Sequence, residues 1–322
     1  MVQSRVVIAA LVLVGACSKD SPKSGAGSGT VNSADGVPIA YQVRGQGSTT
    51  LVFVHGWSCD RNYWRHQMDS LQGEFRVIAL DLAGHGASGK DRTNWSIANF
   101  ANDVAAVVGA TDAKEVVLIG HSLGGPVAVE AGLLLPDRVV GVIGVDAFFD
   151  AWADPAQAKL TDQLRPNFAA GTRAFVRKAL FLPTSRVALA DSISDAMAAA
   201  PPEIALPALD SLLAWARDRQ TSAASALQAP AGLIMVAGGN AATAKFQRSR
   251  EGLPGLGVAE VPGTGHFIML EVPSAFNARL REMLSRVRAT AKAHHPSIRL
   301  GAGSDTEDTE VARTGPPVSS AD

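Results

Sequence analysis

Cysteine is nearly absent from this chain: the 322 residues hold two, Cys17 and Cys59. That is too few for a disulfide framework, so the fold has to stand on its core. No cluster of histidine, cysteine and carboxylate occurs with metal-ligand spacing, and no metal or cofactor is called for. Excess charge of either sign is missing too, with 29 Lys and Arg against 30 Asp and Glu and a net charge of -1. Without a positive field, and without a basic helix interleaved with aromatics, nucleic acid is excluded as a partner. What is abundant is apolar: 47% hydrophobic residues with 18% charged supports a sizeable buried core.

Long hydrophobic runs are also missing. The apolar stretch over residues 6–14 falls far short of the roughly 20 residues a membrane-spanning helix needs. It reads as a signal peptide over 1–16, because it follows Met1-Val2-Gln3-Ser4-Arg5 and ends in Val14-Gly15-Ala16-Cys17. That ending resembles the lipobox of bacterial lipoproteins, which implies lipidation of Cys17, export, and a membrane as partner through the lipid. With Ser18 next, the resemblance implies the outer membrane or the periplasmic face in a Gram-negative cell. Residues 17–30 lack apolar spacing and read as a flexible tether reaching about 20 Å.

The folded part starts at Asp35-Gly36-Val37-Pro38-Ile39-Ala40-Tyr41-Gln42-Val43, a turn followed by alternation that predicts an edge strand. Short runs apolar on both faces follow at 51–54, 77–80, 116–119, 140–145 and 233–236, as buried parallel strands require. Helical stretches such as 97–108 and 125–135 alternate with them. The pattern predicts an α/β fold, a mostly parallel open sheet flanked by helices, with its core over 31–147 and 230–288. From 148 to 229 the chain is Ala-rich, helical in period and free of buried-strand runs, which reads as an inserted helical cap. Residues 289–322 read as a disordered tail.

Gly120-His121-Ser122-Leu123-Gly124 stands between a buried strand and a helix, the context of a nucleophile elbow. Glycines at 120 and 124 let strand and helix backbones approach, and Ser122 falls at a helix N-terminus that favours developing negative charge. Together with Val54-His55-Gly56-Trp57 and Asp81-Leu82-Ala83-Gly84-His85-Gly86-Ala87-Ser88, this elbow resembles the α/β-hydrolase superfamily over about residues 37–287.

That resemblance implies that the backbone N–H groups of Trp57 and Leu123 form an oxyanion hole, and that His266, in Gly263-Thr264-Gly265-His266-Phe267, is the general base. His55, His85 and His121 read as structural, and His66, His294 and His295 as solvated. The acid is displaced from the commonest pattern: no Asp or Glu lies between Asp218 and Glu251, and the loop after 233–236 offers only Asn240. Asp146, ending the run Val142-Ile143-Gly144-Val145, is the expected acid, as in superfamily members that carry it one strand earlier, with Asp150 in reserve. Ser122, Asp146 and His266 then follow the superfamily's order. The implied activity is hydrolysis of small ester-like substrates. Carbon–carbon bond cleavage in diketones and non-catalytic ligand binding are the alternatives.

Overall fold

A computed structural model describes residues 27–147, 159–227, 229–236 and 256–294. Cys17 and the signal segment, Asp150, Asn240 and His295 lie outside the described residues.

Eight strands form one sheet in the order β1-β2-β4-β3-β5-β6-β7-β8. They are β1 (Gly27–Asn32), β2 (Pro38–Arg44), β3 (Thr49–Val54), β4 (Arg76–Leu80), β5 (Glu115–His121), β6 (Val139–Val145), β7 (Ala231–Val236) and β8 (Leu256–Val261). The pairs β1–β2 and β2–β4 are antiparallel and every other pair is parallel. All residues of β3, β5 and β6 are buried, which is why their sequences are apolar on both alternating faces.

Two helix layers cover the sheet. Helices Ile97–Ala110 and Gly124–Leu134 pack on each other, and Arg65–Leu71 packs with Pro273–His294. The last helix buries Phe276, Leu280, Met283, Leu284, Val287 and Ala291, a stripe with the spacing of one helical face. The regular elements of the described part of the cap are all helical: Leu160–Leu164, Phe168–Ala179, Val187–Ala198, Pro202–Asp218 and Gln220–Ala226, with a 3₁₀ turn at Arg165–Asn167. Indole hydrogen bonds are among the side-chain contacts that tie it to the core. The Trp57 indole N–H donates to the Ala205 carbonyl at 2.7 Å, and the Trp215 indole N–H donates to Glu130 at 2.7 Å.

Two boundaries differ from the sequence reading. Gly27–Thr30, assigned to the tether, belongs to β1, whose backbone pairs with β2 from Gly27↔Val43 to Asn32↔Pro38. The strand over 38–44 is therefore second from the edge. Residues 289–294, assigned to the disordered tail, instead continue the last helix to His294, because Ala-Thr-Ala-Lys-Ala-His extends it with good helix formers and Ala291 is buried.

Candidate active site

Register alone brings the chemistry to one edge. Val54 of β3 pairs with Gly120 of β5, and Gly120 with Gly144 of β6. The residues that follow these three strands, His55 to Trp57, Ser122 and Asp146, therefore emerge side by side at the carboxyl edge of the sheet.

The turn at Ser122 is sharp and needs its glycines. A β-carbon at Gly120 would stand 2.0 Å from the Gly124 carbonyl oxygen, and one at Gly124 would stand 2.4 Å from that of Val54. Ser122 itself has φ 53°, the left-handed region that non-glycine residues avoid. Its N–H donates to the Val145 carbonyl at 3.0 Å, so the β5–β6 ladder runs into the turn and holds it. Asp146 shares this backbone state, with φ 42°. Two left-handed non-glycine residues on neighbouring strand ends is strain of the kind that the surrounding structure retains at functional sites.

Asp146 and His266 meet. The His266 Nδ1–H donates to Asp146 Oδ2 at 2.6 Å, and the two side chains are 8% and 3% exposed. This contact holds the proton on Nδ1 and makes Nε2 the basic nitrogen of the ring. The His266 backbone is fixed from two sides. Its N–H donates to the Leu180 carbonyl of the cap at 2.8 Å, and its carbonyl accepts from His121 Nε2–H at 3.0 Å.

Ser122, Asp146 and His266 line one cavity of about 380 Å³, within the range of ordinary small-molecule sites. Gly56 and Trp57 lie on its wall, and a β-carbon at Gly56 would stand 3.1 Å from Ser122 Cβ. The remaining wall is largely the cap, with Phe175, Phe181, Leu182, Met197, Leu209 and Leu213 among its apolar side chains. Polar groups thus gather at the sheet edge and apolar ones face them.

The other buried histidines hold loops. His55 Nδ1–H donates to the Gly56 carbonyl at 2.8 Å, while Nε2 accepts from the Leu82 N–H at 3.0 Å, joining the loops after β3 and β4. Complete burial pulls its pKa to about 4. His85 bonds the Ala83 carbonyl at 2.9 Å, and burial, reinforced by the neighbouring His55, pulls it to about 3. His121 is driven well below the usual imidazole value by burial, with His266 nearby adding to the effect. A ring kept neutral beside His266 leaves that position free of a competing charge. Of the remaining histidines, His66 is half-buried on its helix.

Sequence reasoning did not foresee the cap's grip on the histidine loop. A β-carbon at Gly265 would stand 2.6 Å from the Leu180 carbonyl oxygen, and the Phe181 and Phe267 rings stack at 5.3 Å. It also missed Cys59, a buried thiol on the cavity wall whose Sγ–H donates to the Trp57 carbonyl at 3.3 Å and whose pKa burial pushes up. The Gly265 signal was present, since Gly-Thr-Gly before a histidine marks close backbone packing. The cap contact had none. Among the described residues, no group of three or more histidine, cysteine, aspartate or glutamate residues is arranged to hold a metal ion.

Comparison with known proteins agrees with this fold. The model of the alpha/beta hydrolase family matches residues 51–279. Over 254 residues the chain is 29% identical to a putative carbamate hydrolase, RutD, of Azorhizobium caulinodans, covering 75% of this chain and 93% of that protein. Over 108 residues it is 35% identical to the dihydrolipoyllysine-residue acetyltransferase component of an acetoin cleaving system of Cupriavidus necator. That match covers 34% of this chain and 29% of the relative, under a third of its length. Among solved structures, a putative aryl esterase from Burkholderia cenocepacia superposes with a TM-score of 0.68 at 25% identity, covering 82% of this chain and all of that one.

Proposed function

The chain belongs to the α/β-hydrolase family, and from that premise we propose that it is a serine hydrolase of carboxylic esters with Ser122 as nucleophile, His266 as base and Asp146 as acid. One observation carries the reading: a serine held at φ 53° on a strand-to-helix turn shares a cavity with a buried, hydrogen-bonded Asp146–His266 pair.

His266 Nε2 takes the Ser122 hydroxyl proton as Oγ attacks the ester carbonyl, forming the Oγ–C bond and moving the carbonyl electrons onto oxygen. The N–H groups of Trp57 and Leu123 receive that oxyanion, a stabilisation worth about 3 kcal/mol per donor in other acyl-transfer enzymes. His266 then gives its proton to the departing alkoxide, leaving an acyl-enzyme. Water, deprotonated by the same nitrogen, attacks the acyl carbon and releases the acid and free Ser122. The Asp146 carboxylate offsets the imidazolium charge in both halves.

A ligand-binding protein without catalysis was favoured by one feature, the lack of an acid after β7. The Asp146–His266 contact supports the catalytic reading over it. Diketone carbon–carbon cleavage uses the same residues, so a substrate panel decides. The proposal expects short-chain esters to be turned over by the wild type and not by Ser122→Ala; diketone turnover without ester turnover would replace it.

We further propose that the chain is exported and held at a membrane by lipid on Cys17. The basis is the sequence over residues 1–18 alone. Cys17→Ser is expected to move the protein from the membrane to the soluble fraction, and unchanged membrane retention would contradict the lipid anchor.

A further inference from the structure

The cap presents a second surface, outward from the cavity it covers. Residues 173–191 hold four cations, Arg173, Arg177, Lys178 and Arg186, and one carboxylate, Asp191, in a chain of net charge -1. Arg177 pairs with Asp191 and Arg173 with Asp195, both at 2.5 Å. Lys178 and Arg186 pair with no carboxylate among the described residues, and with Asp191, Asp195 and the Glu271 that Ser185 holds all counted, the four cations still leave the face one positive charge in excess.

Apolar groups sit among these charges. Val187 is 64% exposed and Leu182 40%, two of the three large apolar side chains left exposed among the described residues. With Pro183 and Phe181 they edge a surface groove of about 320 Å³ that also meets Arg177 and Lys178. Phe181 and Leu182 line this groove on one side and the reactive cavity on the other. A wall formed by these two side chains therefore separates the groove from the cavity that Ser122 lines.

The wall is fixed. The Leu182 N–H donates to Ser185 Oγ at 3.1 Å, the Ser185 hydroxyl donates to Glu271 at 2.6 Å, and the Arg186 guanidinium donates to the Leu270 carbonyl at 3.2 Å. Whatever seats on this face is thereby registered against the loop that carries His266.

We propose that the face from Lys178 to Val187 docks on an anionic lipid surface, from which an apolar ester passes over Leu182 into the cavity. Cations interleaved with protruding apolar side chains are what a negatively charged bilayer attracts and buries. A second copy is the poorer occupant, because a two-fold contact would set these cations against one another. The docking rests on the surface alone. The delivery of substrate rests on the ester-hydrolase reading above.

Flotation with phosphatidylcholine vesicles, with and without phosphatidylglycerol, tests the docking on the full chain carrying Cys17→Ser, so that a lipid anchor does not dominate. Binding is expected only with phosphatidylglycerol and is expected to weaken as salt rises. Adding Val187→Asp and Lys178→Gln is expected to cut it about tenfold, while Leu134→Ser, an exposed apolar residue on another helix, leaves it unchanged. Equal binding by the parent and the double variant, binding indifferent to phosphatidylglycerol, or an equal loss with Leu134→Ser overturns the proposal. In a second arm, the double variant should keep the rate on a short ester dispersed in water and lose most of the rate on a long-chain ester dissolved in anionic vesicles. Equal rates on the vesicle ester would refute delivery. Should the wild type turn over neither ester, the hydrolase reading fails while flotation still decides the docking.

Discussion

Asp146→Asn isolates the charge of the acid from its shape. The amide oxygen can still accept from His266 Nδ1–H, and asparagine tolerates the left-handed backbone that residue 146 adopts, φ 42°. What disappears is the attraction between carboxylate and imidazolium once His266 has taken the serine proton. The hydrogen-bonded atoms are 2.6 Å apart and both side chains are buried, so the charge centres lie about 4 Å apart. At an effective dielectric of about 20 that attraction is about 4 kcal/mol. Each ~1.4 kcal/mol is tenfold in rate, so turnover should fall about a thousandfold. The corresponding change in serine proteases costs about ten-thousandfold, and the expected loss lies between these figures. Steady-state rates on a p-nitrophenyl ester measure it, with a thermal melt to show that the fold is intact. A loss under about tenfold in a folded variant would refute the reasoning, as would the full loss appearing in Asp150→Asn instead.

Gly120→Ala drives a methyl group to 2.0 Å from a backbone oxygen that cannot rotate away. It is expected to cost about 3 kcal/mol or more, seen as a melting temperature lower by about 6 °C or more; an unchanged melt would mean the elbow is looser than described. Acid should destabilise the fold through its buried neutral histidines. Folded His55 and His85 titrate near 4 and 3 against an ordinary imidazole value of 6.5, so below about pH 6.5 the unfolded chain binds protons that the folded one does not. Stability therefore falls as pH drops from about 6.5 towards 4, by about 2 kcal/mol per histidine at pH 5. Melting curves flat from pH 7 to about 4.5 would contradict this.

The elbow was legible because its constraint is local: a strand, two obligatory glycines and a helix are adjacent in sequence, and backbone crowding at Gly120 and Gly124 leaves little freedom of choice. The meeting of Asp146 with His266 was legible by position, since Asp146 follows a wholly buried strand at the carboxyl edge of the sheet. The cap's hold on His266 was not, because the Leu180 carbonyl that accepts its N–H is a backbone atom and carries no residue-type signal. β1 escaped for a similar reason. Gly-Ser-Gly-Thr-Val-Asn has no buried residue and is held by backbone pairing to β2, so neither periodicity nor composition distinguishes it from a linker. The wall formed by Phe181 and Leu182 likewise needed three dimensions, since each of these side chains faces two surfaces there.

Mass spectrometry of the chain after reaction with a fluorophosphonate tests most directly whether Ser122 is an activated nucleophile. The expected result is one covalent phosphonyl adduct, mapped to the peptide containing Gly120-His121-Ser122-Leu123-Gly124, absent in Ser122→Ala and slowed by orders of magnitude in His266→Ala. An adduct on any other residue, or none on folded wild-type protein, would contradict the account.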